Sequence, residues 1–323
     1  MSLAGEAESP LVSVLVPAKD EAENLEPFVA QAAEALAPLP YGCEVVVVDD
    51  GSTDGTSDVL RRLARQYPFL RTVRHRSQRG IADALDSAGR AARGEIFVFY
   101  PADLQYRPAD IPALVEPILS GEADLVTGTK QGHYEKAFVS RVYNGLCRYL
   151  FGIGVADLNS VKAYRREVMT AVPARPDWHR YMVVIAAAEG YRLAERAVPL
   201  YQRTAGKSKF GLRRIPIGAF DLVSVWFQLR FGRKPMLFFG LAGAVFFSIG
   251  LIVGVTALIV RFWLGIGFRP LLDLVMVLVI SGIALFGFGF VGELLAGLRA
   301  DLHEVRRQLD DVQRGLDEVR QRR

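Results

Sequence analysis

The sequence predicts an α/β domain joined to a two-helix membrane hairpin and a C-terminal coiled coil. Three observations predict it. Short apolar runs alternate with helix-forming segments over the first two hundred residues, two long uncharged runs follow near the end, and a Leu/Val seam with heptad spacing closes the chain. The chain has 323 residues, a mean hydropathy of +0.20 and 51% hydrophobic residues against 23% charged. That apolar share excludes a disordered protein. Two Cys exclude a disulfide scaffold, and four scattered His exclude the usual zinc motifs. A net charge of +4 gives no argument for nucleic acid as a partner.

The elements follow in order. Leu11–Val16 is an apolar run closed by Pro17, which reads as a buried strand, and Asp20–Ala37 has helix-forming composition, stopped by Pro38 and Pro40. Glu44–Val48 reads as a fully buried strand. It runs into Asp49–Thr56, Asp-Asp-Gly-Ser-Thr-Asp-Gly-Thr. Ser57–Gln66 reads as a helix, Arg71–Arg74 as a weak strand, and Ile81–Arg93 as a helix with Gly94 at its C′ position. Ile96–Tyr100 reads as a strand, Ile111–Leu119 as a helix and Asp124–Thr127 as a strand. Such alternation with short turns predicts a mostly parallel sheet covered on both faces, with ligands at the carboxyl ends of its strands.

The polar clusters fall at those ends: Lys19-Asp20-Glu21, Asp49-Asp50-Gly51-Ser52 and Asp103-Leu104-Gln105. One acidic turn is an ordinary solvated loop. Three acidic clusters at strand ends suit a nucleotide and a divalent metal, because carboxylates accept hydrogen bonds from ribose and base, and hard oxygen ligands suit Mg²⁺ or Mn²⁺.

Met236–Val260 is 25 residues without a charge, and Leu274–Gly292 is another 19. About 20 apolar residues suffice to cross a bilayer core. The short connector puts both flanks on one side. From Arg192 to Lys234 ten Lys and Arg stand against two acids, Glu195 and Asp221, so the positive-inside rule assigns that side to the cytoplasm. Met1–Pro10 is acidic, lacks a long apolar stretch and reads as no signal peptide. Cys43 and Cys147 fit a reducing cytosol. Ile215–Phe231 reads as amphipathic helices at the membrane interface, with Trp226 at headgroup depth and membrane lipid as partner. Leu295, Leu298, Leu302, Val305, Leu309, Val312, Leu316 and Val319 alternate three and four apart. Leu at a with mainly Val at d favours a trimer or tetramer over a parallel dimer. A single amphipathic helix is the alternative, since Gly315 weakens the helix.

The segments Val14–Glu21, Asp49–Thr56 and Ala102–Gln105 resemble family 2 glycosyltransferases of the GT-A fold, a Rossmann-like nucleotide-sugar-binding architecture. The likeness is strongest to polyprenyl-phosphate glycosyltransferases such as dolichyl-phosphate mannosyltransferase. It continues through Gly128–Lys130, Ser140–Asn144, Asp157–Arg166, Gly190-Tyr191 and Arg203–Lys209. The resemblance implies that Pro17, Ala18, Glu21, Asp49, Asp50, Gly51 and Ser52 line the nucleotide. It implies that Asp103 and Gln105 hold Mg²⁺ or Mn²⁺ on the donor diphosphate, and that Lys130 and Arg141 face the lipid phosphate. Arg203, Lys207 and Lys209 would contact phosphate as a hinged segment closes. Asp103, Lys130 and Arg141 are then the catalytic candidates. The chain departs from the family pattern at Pro101, where the first Asp of Asp-x-Asp is usual, and at Lys130, where Arg is common. Lys binds phosphate as a point charge, without the bidentate fork.

The implied reaction is inverting transfer of a sugar from a UDP- or GDP-linked donor to polyprenyl phosphate, giving a polyprenyl-phosphate sugar. The expected location is the bacterial inner membrane, with the catalytic domain and both termini in the cytoplasm. The expected domains are a disordered 1–10, a GT-A domain over 11–214, interfacial helices over 215–235, spans at 236–260 and 271–297 around a non-cytoplasmic connector 261–270, and a coiled coil over 298–323. Two other readings stay open. One is a processive polysaccharide synthase, which usually carries a Gln-x-x-Arg-Trp motif and more spans, both missing here. The other is a non-catalytic nucleotide-sugar or lipid-binding scaffold, which the lost Asp at position 101 and the coiled coil motivate.

Overall fold

The computed structural model describes residues 11–131, 137–155, 157–172, 178–201, 214–232, 234–265, 267 and 269–321. The chain divides into two units, Met1–Leu222 and Val223–Arg323. In the first, strands and helices alternate as β1 (Val12–Ala18), α1 (Ala22–Leu36), β2 (Cys43–Asp49), α2 (Thr56–Gln66), β3 (Leu70–Arg74), α3 (Ile81–Ala91), β4 (Ile96–Phe99), α4 (Ile111–Leu119), β5 (Leu125–Gln131), α5 (Ala137–Phe151), β6 (Lys162–Arg165), α6 (Arg166–Ala171), α7 (Met182–Ala188) and β7 (Leu193–Pro199). Short 3₁₀ turns cover Pro108–Asp110 and Trp178–Tyr181.

The sheet has the order β3-β2-β1-β4-β6-β5-β7. All pairings are parallel except those of β6, which runs antiparallel to both β4 and β5. The chain steps from β1 outward through β2 and β3, then returns to place β4 on the other side of β1. A crevice opens at such a reversal, at the carboxyl ends of the two strands. Val45–Val48 are fully buried, which explains the unbroken apolar run: both faces of β2 are covered. On one face Val14, Val16, Val45, Val47 and Val98 pack with Leu25, Phe28 and Leu114. On the other, α3 lies against β1 and β2. Each fully buried Val or Leu contributes about 1.5–3 kcal/mol relative to an exposed one.

Two expectations are corrected here. Gly94 is not a left-handed cap, because α3 ends at Ala91 and Ala92 is already extended at φ −71°, ψ 146°. Glycine is needed there for space: a Cβ would stand 2.6 Å from Ser13 Oγ, which accepts the Gly94 N–H at 2.9 Å. Strand β5 runs on to Gln131 rather than ending at Thr127, paired with β7 through Gln131↔Pro199. Lys130 therefore stands on a strand and not in a loop.

Helix α8 (Arg214–Phe231) is a single helix where more than one amphipathic helix was expected, and it runs across the boundary between the units. In the second unit the rings of Phe227 and Phe238 lie 5.4 Å apart, and Trp226 and Phe231 5.7 Å apart. Helix α9 (Pro235–Leu264) and helix α10 (Arg269–Gln321) are both long and apolar enough to cross a membrane, with only 11% of the most apolar stretch of each buried. Core helices of a soluble protein would be mostly buried, so the exposure marks a membrane protein. Helix α9 continues through Arg261, the first residue of the expected connector, and ends at Leu264. Helix α10 is continuous from the second span into the heptad segment. The two helices meet through small residues: a Cβ on Gly243 would lie 2.6 Å from Gly282 O, and one on Gly282 would lie 2.7 Å from Phe247 N. Glu293 of α10 accepts the Met236 N–H at 3.3 Å, placing a carboxylate at the N-terminus of α9.

Candidate active site

The carboxyl ends of β1, β2, β4 and β5 share one edge of the sheet. Because β6 is antiparallel, its first residue, Lys162, lies at the same edge, opposite Phe99 of β4 and Thr127 of β5. The polar segments that the sequence singles out therefore line up along this edge.

After β1 and β2 the chain forms an interlocked pair of turns. Lys19 Nζ donates to Gly51 O at 2.7 Å and pairs with Asp20 at 3.3 Å. Asp20 accepts the Thr53 N–H at 2.9 Å, while its own N–H donates to Ser52 Oγ at 2.9 Å. Asp20 adopts φ +52°, a left-handed conformation that Asp tolerates better than most residues. Glu21 accepts from Asn24 Nδ2 at 2.7 Å and donates its N–H to Thr56 Oγ1. Pro17 and Ala18 end β1, paired with Val48 and Asp49.

Asp49 and Asp50 are buried. Asp49 accepts the Ser52 N–H at 2.9 Å and a hydrogen bond from Ser57 Oγ, with Arg74 at 3.8 Å. Burial opposes its ionisation, yet these bonds and Arg74 hold its carboxyl below the usual range. Asp50 turns the other way. Its two oxygens accept the N–H groups of Arg79 and Gly80 at 2.8 Å each, and His75 Nδ1 lies 2.8 Å from Oδ1. These bonds tie the His75–Gly80 turn against Gly51, where a Cβ would stand 2.6 Å from Ser77 C. The acidic pair shapes this end of the edge from within, and His75 is a residue the motif reading missed. Its only sequence signal was one polar ring between a short strand and a helix.

Beyond β4, Asp103 and Gln105 flank Leu104, whose φ is +56°. The Gln105 N–H donates to Asp103 Oδ1 at 3.2 Å, and Gln105 O accepts the Tyr201 N–H at 2.9 Å. One carboxylate and one amide oxygen are hard donors of the right type for Mg²⁺ or Mn²⁺. Among the described residues no cluster of three His, Cys, Asp or Glu could hold a metal. The set fits an ion that shares its coordination with substrate phosphates, as Mg²⁺ commonly does, and does not fit a self-sufficient metal cage.

At the β5–β6 end, Lys130 Nζ donates to Asn159 O at 2.9 Å and pairs with Asp157 at 3.3 Å. Asp157 also accepts the Asn159 N–H at 3.0 Å. Lys162 lies fully buried behind them, donating to Ser160 O at 2.8 Å. Burial pushes its ammonium down to about 7. Asp157 opposes that shift, while Lys130 and Arg180 reinforce it. The segment holding Asp157 and Lys162 was visible in the sequence, but no role could be read for either. Arg141 falls on α5, with its side chain outside the described residues, and Arg203, Lys207 and Lys209 lie outside them altogether.

A mostly parallel sheet with an Asp-Asp-Gly-Ser turn and an Asp-x-Gln segment on its carboxyl edge is the frame of a nucleotide-sugar-dependent transferase of the GT-A type. Comparison with known proteins agrees. The family model described as "Glycosyl transferase family 2" matches residues 13–162. Dodecaprenyl-phosphate galacturonate synthase of Rhizobium johnstonii is 30% identical over 302 residues, covering 88% of this chain and 87% of the relative. Undecaprenyl-phosphate 4-deoxy-4-formamido-L-arabinose transferase of Aeromonas hydrophila is 26% identical, covering 90% of each. Among solved structures, glucosyl-3-phosphoglycerate synthase from Mycobacterium tuberculosis superposes with a TM-score of 0.55 at 22% identity, over 68% of this chain and 80% of that one, which supports the fold. The same enzyme, at a TM-score of 0.54, has been crystallised with Mn²⁺ and UDP. The chain belongs to glycosyltransferase family 2, in its polyprenyl-phosphate branch.

Proposed function

We propose that this protein transfers a sugar from a UDP- or GDP-linked donor to the phosphate of a polyprenyl phosphate at the cytoplasmic face of the bacterial inner membrane. The observation that carries the reading is Lys130, a cation held on a strand at the same edge as the nucleotide turns, in a chain that matches polyprenyl-phosphate transferases over most of their length. A phosphate monoester oxygen attacks the anomeric carbon, the bond from that carbon to the diphosphate breaks, and the nucleoside diphosphate leaves. A single displacement inverts the anomeric centre. The attacking oxygen is already ionised near neutral pH, so no general base is required. Catalysis then rests on positioning and charge.

Pro17, Ala18, Glu21, Asp49, Asp50, Gly51 and Ser52 form the walls and scaffold of the nucleotide end. Lys130 and Arg141 hold the acceptor phosphate, with Arg203, Lys207 and Lys209 completing the phosphate contacts. Asp103 and Gln105 would hold Mg²⁺ or Mn²⁺ together with the donor diphosphate. Bound there, the ion would offset the negative charge of the leaving group. The heptads of Leu295–Val319 support a homo-trimer or homo-tetramer.

The test uses the full chain in detergent with labelled UDP- and GDP-sugars, uronic acid and amino-sugar donors included, and polyprenyl phosphate, with Mg²⁺ or Mn²⁺. A lipid-linked sugar is expected, and Asp103→Ala should lower its rate at least about a hundredfold. No lipid-linked product from any donor would refute the reading. Equal turnover by Asp103→Ala would refute the role of that residue.

A further inference from the structure

Two lysines lie at the β5–β6 end of the site, one paired with Asp157 and one buried on Ser160 O, and they differ in setting. Lys130 reaches Asp157 at 3.3 Å with its side chain 15% exposed, while Lys162 is 1% exposed. The Lys162 ammonium has one hydrogen bond among the described residues, to Ser160 O at 2.8 Å, and stands 5.8 Å from the ring of Phe99. Three donors with one acceptor in a dry site is a costly arrangement. The sheet face itself does not require it, since Phe97 and Tyr164 fill neighbouring positions on the same two strands. The lysine sits at the functional edge, in the electrostatic range of Asp157 and Lys130.

We propose that Lys162 is a positioning residue for the acceptor phosphate: its buried ammonium, held on Ser160 O in the same short segment as Asp157, offers that carboxylate a second positive charge beyond ion-pair distance and so determines how readily Lys130 turns its charge to an incoming phosphate monoester. This rests on the reading of Lys130 as the acceptor-phosphate cation. With Lys162 charged, Asp157 keeps a counter-ion when Lys130 moves to the phosphate. With Lys162 neutral, moving Lys130 leaves a buried carboxylate uncompensated, so Asp157 retains it. The charged groups within electrostatic range of this ammonium are Asp157 from the loop before β6, Lys130 from β5 and Arg180 from the 3₁₀ turn. His179 of that turn stacks edge-on against Phe99 at 6.3 Å. Protonation of Lys162 falls near neutral pH, so the effect should be largest on the acid side.

The test is steady-state kinetics of the full chain, varying donor and polyprenyl phosphate separately at pH 6 and pH 8. The proteins are wild type, Lys162→Met, Lys162→Arg, Lys130→Ala and the double variant Lys130→Ala/Lys162→Met. Comparing each variant with wild type at one pH cancels the acceptor's own ionisation. Lys162→Met should raise the acceptor KM about tenfold at pH 6 and clearly less at pH 8, with the donor KM changed less than about twofold. In the Lys130→Ala background it should add nothing. Lys162→Arg, charged at both pH values, should hold the acceptor KM at pH 8 below that of wild type, and this variant decides the matter if the Met variant does not fold. Equal effects of Lys162→Met on donor and acceptor KM, an effect independent of pH, or one that multiplies with Lys130→Ala would each overturn the proposal. A wild-type chain that makes no lipid-linked product would overturn the acceptor reading beneath it, an outcome distinct from an active wild type whose Lys162 variants behave like it.

Discussion

His75 Nδ1 lies 2.8 Å from Asp50 Oδ1, with both side chains buried. An ionised carboxylate only accepts, so the ring donates through Nδ1 and turns Nε2 to Ser87 Oγ at 2.9 Å. Through this contact β2 grips both the segment that follows β3 and the middle of α3. The second acid of the Asp-Asp-Gly-Ser turn is therefore a joint between three elements, besides its proposed place at the nucleotide end.

Asp50→Ala should expose the consequence. Removing the carboxylate leaves the N–H groups of Arg79 and Gly80 and the His75 ring without their acceptor, for a loss of about 3 kcal/mol. His75→Ala, which leaves the two backbone bonds in place, should lose about 1 kcal/mol. Thermal melts in detergent, with and without nucleotide, check both values and their order.

Gly51 and Gly80 offer a contrast at one loop. Both have positive φ, +67° and +99°. A Cβ at Gly51 would meet the backbone of Ser77 at 2.6 Å, and one at Gly80 would meet nothing within 4 Å. Gly80→Ala should cost about 1–2 kcal/mol for backbone conformation alone. Gly51→Ala should cost more and should also abolish the nucleotide-induced melting shift, because the His75–Gly80 turn must move.

Asp124 gives a pH signature. Its two oxygens take the Arg192 guanidinium at 2.8 and 3.0 Å and the Arg192 N–H at 2.9 Å, and Arg165 adds a bond at 3.3 Å. Arg192 is the main cause that lowers its carboxyl to about 2. A depressed acid stabilises the fold fully above its unfolded value of about 4 and loses that contribution as pH falls toward the folded value. Asp124→Asn should melt lower than wild type at pH 7. The gap should narrow between about pH 4 and pH 2, and a gap constant with pH would contradict the assignment.

The packing of α9 on α10 can be tested without any assay of turnover. Gly243→Leu drives a side chain into the Gly282 carbonyl and Phe286, while a Cβ at Gly287 meets nothing within 4 Å. Protease resistance of the α9–α10 pair in detergent should fall for Gly243→Leu and hold for Gly287→Leu. Equal behaviour of the two would remove the helix contact at Gly243.

What the sequence disclosed depended on contrast along the chain. The Val45–Val48 run was legible as a strand because a doubly covered strand has no polar positions to blur it. The same rule hid the end of β5, where Gly128, Thr129 and Lys130 have loop composition. Pairing with β7 extends that strand, and sequence shows no partners. The acidic turns were legible as a site because several fell at strand ends together. That their carboxylates bind neighbouring segments of the chain was not, since the acceptors' partners, the Arg79 and Gly80 backbone and the Ser57 hydroxyl, carry no motif of their own. Lys162 was hidden in the opposite way: a charged residue opening a four-residue strand looks like an exposed edge until the antiparallel insertion of β6 between β4 and β5 buries it.

Helix α10 carries one further consequence. Its 53 residues span about 80 Å, of which a bilayer core takes only about 30 Å. Gly292 meets Pro235 of α9, and the Leu295 seam begins three residues later on the same unbroken helix. At about 100° per residue the seam points roughly a quarter turn away from that contact. Any partner that grips the tail thereby sets the azimuth of the α9–α10 pair, and one residue inserted between Gly292 and Leu295 would rotate the one against the other by nearly a third of a circle.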